Sequence, residues 1–186
     1  MTTMAQTEPP LKRLFERLDF APQPKRLELD VLHERWEAAR AGAVAPRRSA
    51  ISFAPEERGA AETLFVHRFE GSDDDGVLTE GASAAAMLLG PYRIGDRLSE
   101  AGNRRGAVRL RRLFKEVRRS GQPVLAQYTS AERGRARAIV EILVAPLSED
   151  GSTIDSALAA ISAHVLDGAP RRATHEPADS SLALFA

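Results

Sequence analysis

Residues 104–119 read as one helix with two opposed surfaces, and that helix constrains the fold more than any other stretch. Ala107, Leu110, Leu113, Phe114 and Val117 recur at helical spacing and line one face. Arg104, Arg105, Arg109, Arg111, Arg112, Lys115, Arg118 and Arg119 cover the opposite arc, with Val108 stranded among them. Such a helix must lay its apolar stripe on a core and leave its cations in water. Asn103 is placed to cap its start and Gly121 to end it. The core it needs follows at once, because 123–129 and 137–146 read as strands. In the second of these, Ile139, Glu141 and Leu143 alternate with Val140, Ile142 and Val144, so one face carries a glutamate and the other is wholly apolar.

Upstream, 63–69 is rich in β-branched and aromatic residues and predicts a strand. The acidic turn Asp73, Asp74, Asp75, Gly76 joins it to a second short strand ending at Gly81. An Ala-rich helix over 82–89 then stops at Gly90 and Pro91. A further helix over 27–40 carries the stripe Leu29, Leu32, Trp36 and Ala39. It suits either packing on the domain's own core or a dimer face. Leu11, Leu14, Phe15 and Leu18 make a shorter stripe, too short for an isolated helix, which must dock or stay fluid. The reading is a domain over 26–165 that includes this entry helix. A flexible extension (1–25) with a short amphipathic helix precedes it, and a flexible tail (166–186) follows. Residues 154–163 are ambiguous: Ile154, Leu158, Ile161 and Val165 fit a helix period, whereas a position after an antiparallel hairpin favours a closing strand.

Bulk features exclude several functions. The chain has no cysteine, which removes disulfides, zinc–thiolate sites, thiol nucleophiles and cysteinyl-flavin chemistry. No run approaches the roughly 18 apolar residues of a membrane span, and the start has no signal-peptide pattern, so a cytoplasmic location is expected. The 26 basic and 26 acidic residues balance overall; only the local charge on the 104–119 helix can speak about partners.

Trp36 with Arg40, Ala41 and Gly42 begins a wider pattern. It continues through Pro46, Arg47, Ile51 and Pro55, the strand-ending Gly81, and the pair Gly90 and Gly95. Ser120, Gly121, Gln122, Pro123 and Val124 lead into the third strand. The run from Glu141 to Ser148, then Asp150, Gly151, Ile154 and Asp155, forms the last hairpin. Over residues 31–164 this order resembles the PAS domain, in the compact form found in bacterial single-domain PAS proteins. The resemblance implies an α+β fold: a five-stranded antiparallel sheet with helices on one face, a pocket between sheet and helices, and N-terminal helices in front. It also makes 154–163 the fifth strand. One departure stands out, since relatives carry Arg or Tyr-x-Arg on the second strand where this chain has Val77, Leu78 and Thr79.

The resemblance implies a non-enzymatic cytosolic regulator that signals through another protein, such as a kinase or other regulator. Leu11, Leu14, Phe15, Leu18, Leu29, Leu32 and Trp36 are the candidate partner or homodimer face. A pocket for an apolar small molecule would be lined by Met87, Leu88, Leu110, Phe114, Val117, Ile142 and Val144, which otherwise simply fill the core. No cofactor is specified. Haem is disfavoured because the long helix lacks histidine, and His33, His67, His164 and His175 are scattered, each reading as a surface or half-buried side chain. No nucleophile elbow or phosphate loop points to catalysis, and no metal site is expected. The basic face, Arg104, Arg105, Arg111, Arg112, Lys115 and Arg119, has three readings. It is a solvated surface paired with local acids (Asp96, Glu100, Glu116 and residues 73–75), a site for an acidic protein, or a nucleic-acid or nucleotide surface. The last is disfavoured by overall neutrality.

Overall fold

The computed structural model describes residues 19–20, 27–71, 74–130 and 137–166. The stripe Leu11, Leu14, Phe15 and Leu18, residues 132–135, His175 and the tail from 168 onward lie outside them. Four α-helices occur among the described residues: α1 (Leu27–Arg40), α2 (Arg58–Glu62), α3 (Ala82–Leu89) and α4 (Arg104–Ser120). The strands are β1 (Asp19–Phe20), β2 (Leu64–Arg68), β3 (Val77–Glu80), β4 (Val124–Ser130), β5 (Arg137–Leu147) and β6 (Ser156–Leu166). All pair antiparallel in the order β1-β4-β5-β6-β2-β3, so five main strands form an open sheet and the two residues of β1 add to the β4 edge. No helix among the described residues is long and apolar enough to cross a membrane.

The sheet is covered on both faces. Against one lie α3 and α4, whose Leu88, Leu89, Leu110, Leu113, Phe114 and Val117 pack with Phe65, Val140, Ile142 and Val144. Against the other lies α1, whose Leu29, Leu32 and Trp36 are 0% exposed and pack with Val66, Leu125, Leu143 and Leu158. The Trp36 indole donates to the Pro146 carbonyl at 2.7 Å, so its one polar atom is satisfied inside the layer. This corrects two expectations. Helices are not confined to one face, and Leu29, Leu32 and Trp36 are not available as a dimer face, because the domain's own sheet consumes that stripe.

Residues 156–166 form a strand. β6 is paired on both sides, along its whole length with β5 and at five positions with β2. Ala157, Ala159 and Ile161 face the α3–α4 layer while Leu158 and Ala160 face α1. Small side chains in the central strand let both helical layers approach, and that tertiary demand overrides the helix propensity of the alanines.

The long helix is held at both ends as its sequence expects. The Asn103 side chain accepts from the Gly106 amide at 3.2 Å and donates to the Leu88 carbonyl at 2.9 Å, tying the start of α4 to the end of α3. A Cβ at Gly106 would lie 2.5 Å from that same carbonyl, so only glycine permits the approach.

Candidate functional site

The proposed pocket residues are brought together in all but one case. Leu88 is 3% exposed, and Leu110, Phe114, Val117, Ile142 and Val144 are 0% exposed, all in the layer between the sheet and α3–α4. Met87 is 43% exposed and lines nothing there. On the short α3 the inward arc is taken by Ala84, Ala85, Leu88 and Leu89, which leaves Met87 on the outer side.

At the centre of this layer sits a histidine that the sequence alone reads as a surface or half-buried side chain. His67 on β2 is 0% exposed, packed against Phe114 at 5.1 Å, Phe65 at 5.6 Å and Tyr92 at 5.7 Å between ring centroids. The signal was present in the alternation Phe65, His67, Phe69, which places the imidazole on the same side of β2 as two aromatic rings. The Tyr92 hydroxyl donates its one proton to the Asp96 carbonyl at 3.1 Å. It therefore accepts from His67 Nε2–H at 3.1 Å, which fixes the tautomer and leaves Nδ1 as a bare acceptor. Nδ1 has no hydrogen-bond partner among the described residues.

Burial lowers the His67 pKa from its ordinary value to about 3, with the Asp75 charge opposing it more weakly. Burial also pushes the Tyr92 hydroxyl upward, so the pair is neutral at physiological pH. The unfolded chain binds a proton at His67 below pH 6.5, whereas the folded chain excludes it until about pH 3. Stability present above pH 6.5 is therefore lost as the pH falls. Between pH 7 and pH 5 this should amount to about 2 kcal/mol, measured by urea unfolding at the two values. His67→Leu should abolish that difference; an unchanged pH dependence in the variant would place its source elsewhere.

On the outer side of the same helix the structure divides the cations. Arg111 pairs with Asp75 at 2.9 Å and Arg118 with Asp74 at 3.1 Å. The Arg118 guanidinium also lies 5.0 Å above the Phe69 ring. Burial works against the Asp75 carboxylate, but bonds from the Ser99 hydroxyl and amide and from Arg111 outweigh it and hold its pKa below the ordinary value. Arg119 pairs with Glu116 on its own helix at 2.6 Å, and Arg109 lies 4.0 Å over the Tyr128 ring. Arg104, Arg105 and Lys115 make no ion pair among the described residues and face solvent. Asp96 and Glu100, read from sequence as neutralising acids, instead accept from the Arg93 and Arg97 amides in their own turns. Beside this surface an open groove runs between Arg112, Lys115, Glu116 and Arg119 of α4 and Pro123, Val124 and Leu125.

At the second strand, where the resemblance leads one to expect an arginine, Val77 and Leu78 are buried and the Thr79 hydroxyl donates to the Val66 carbonyl at 3.2 Å. Comparison with protein-family models, with curated proteins and with solved structures finds no match.

Proposed function

We propose that this chain is a PAS-like, non-enzymatic regulatory domain that acts in the cytoplasm by contact with another protein, and that the surroundings of His67 are where a small molecule biases that contact. One observation carries the reading: α4 belongs to both places. Phe114 packs on the His67 ring at 5.1 Å, while its neighbour Lys115 is exposed and Arg111, one turn earlier, holds Asp75. A change in the buried layer that shifts α4 is felt directly at the charged surface, as packed elements transmit displacement rather than absorb it. The five antiparallel strands and the α3–α4 layer support the PAS-like assignment. The unpartnered Nδ1 supports a ligand that brings one N–H or O–H donor into an otherwise apolar setting.

Photo-crosslinking residues introduced at the exposed positions Leu27, Met87 and Lys115, in cells that make the protein, test the reading. A discrete protein adduct from at least one position is expected. Its absence from all three, or adducts with nucleic acid alone, would contradict it. For the ligand, native mass spectrometry of freshly purified protein should show an added mass that is lost on denaturation and missing from His67→Leu.

A further inference from the structure

We infer that the stripe Arg104, Arg105, Val108, Arg112 and Lys115 on α4 docks an acidic segment of the partner protein; the inference rests on the regulatory reading above and names the chemistry of that partner. Three observations favour this occupant. First, the protein already seats carboxylates on this helix, with Asp75 on Arg111 and Asp74 on Arg118, so acid-to-α4 pairing is a demonstrated geometry. Glu116 meets Arg119 on the other flank, and between the two flanks Arg104, Arg105 and Lys115 are exposed and make no ion pair among the described residues.

Second, Arg104 and Arg105 occupy the first turn of a 17-residue helix that has no acidic residue there. The helix dipole places partial positive charge at that end, so cations there oppose folding and an anionic partner relieves the conflict. A surface selected only for stability would carry acids in those positions.

Third, Val108 is 41% exposed in the middle of the cations, one turn from Arg104 and from Arg112. An apolar side chain ringed by charge suits a partner segment that alternates carboxylates with an aliphatic residue. From Arg104 to Lys115 the stripe spans about 16 Å, three turns of helix. Nucleic acid fits less well. Asp74, Asp75 and Glu116 flank the stripe and would repel a phosphate backbone, and Phe65, Phe69, Tyr92, Phe114 and Tyr128, the aromatic rings of the layer that α4 covers, are buried and offer no surface for base stacking.

The test uses the full chain and a fluorescein-labelled helical peptide of about 14 residues, with glutamates at i, i+4, i+7 and i+11 and a leucine between them. Two controls accompany it: the same peptide with glutamine for each glutamate, and a single-stranded DNA oligonucleotide of equal charge. The glutamate peptide should bind with an affinity that falls as salt rises, and the glutamine peptide should not bind. Arg104→Glu with Lys115→Glu should weaken binding at least about tenfold through lost attraction and new repulsion. Arg93→Glu, an exposed charge reversal away from the stripe, should leave it unchanged. Should the double reversal unfold by circular dichroism, Arg104→Gln with Lys115→Gln replaces it. No binding of the glutamate peptide, equal binding by the reversed variant, or tighter binding of the DNA would each overturn the inference. A crosslinked protein partner reached from Leu27 or Met87 but not from Lys115 would remove this docking face and leave the regulatory reading standing.

Discussion

Gly81→Ala is expected to be the most destabilising single methyl addition in the chain, costing more than roughly 4 kcal/mol. Gly81 ends β3 and opens α3 with φ of +74°, the left-handed region that disfavours a side chain by about 1–2 kcal/mol. The larger effect is contact. A Cβ at this position would lie 2.0 Å from the Leu64 carbonyl oxygen and 2.7 Å from the Phe65 Cα. Both belong to the backbone of β2, which is paired to β3 and β6 and cannot yield without breaking the sheet. The combined penalty should exceed roughly 4 kcal/mol, a large fraction of what a domain of this size possesses. Gly42 supplies the control. It has φ of +84°, and a methyl added there would meet nothing within 4 Å, so Gly42→Ala should cost only about 1 kcal/mol. Urea unfolding of the two variants separates backbone strain from collision, and equal costs would refute the close approach at Gly81.

Trp36→Ala should lower the unfolding free energy by about 4 kcal/mol. The side chain is 0% exposed in the layer between α1 and the sheet, so truncation removes a large apolar surface and leaves a cavity. It also strands the Pro146 carbonyl, which accepts from the indole at 2.7 Å. Trp36→Phe keeps most of the packing and loses that bond, so it should cost about 1–2 kcal/mol. Fluorescence cannot follow the variants, since Trp36 is the sole tryptophan; circular dichroism can. Wild-type stability in Trp36→Ala, together with a change in oligomeric state, would show that the stripe faces another subunit.

These two residues also show what sequence can and cannot carry. The stripe Leu29, Leu32 and Trp36 was legible as a stripe, but periodicity reports that a face is buried, not by what. Both caps of α4 were legible because Asn103 and Gly121 act locally. β6 needed the order of elements: its alanines speak for a helix, and only its place between β5 and β2 makes it a strand. Of the acids that the sequence offers to the α4 cations, Asp74, Asp75 and Glu116 do pair with the helix, whereas Asp96 and Glu100 serve their own turns. Arg111 and Asp75 are 36 residues apart, and Arg118 and Asp74 are 44 apart. Which arginines are neutralised is set by how the β2–β3 connection lies on the helix, and composition cannot report that. The burial of His67, by contrast, is written locally, because the flanking Phe65 and Phe69 share its side of the strand.

On the proposed reading, α4 joins the buried His67 layer to the charged surface. Nuclear magnetic resonance of ¹⁵N-labelled protein during titration with the glutamate peptide probes that coupling, by following the His67 ring nitrogens and the Lys115 amide together. Both signals should move with one midpoint, starting from a neutral ring protonated at Nε2. A Lys115 amide that shifts while the His67 nitrogens stay fixed would show that the surface and the core are not connected through this helix.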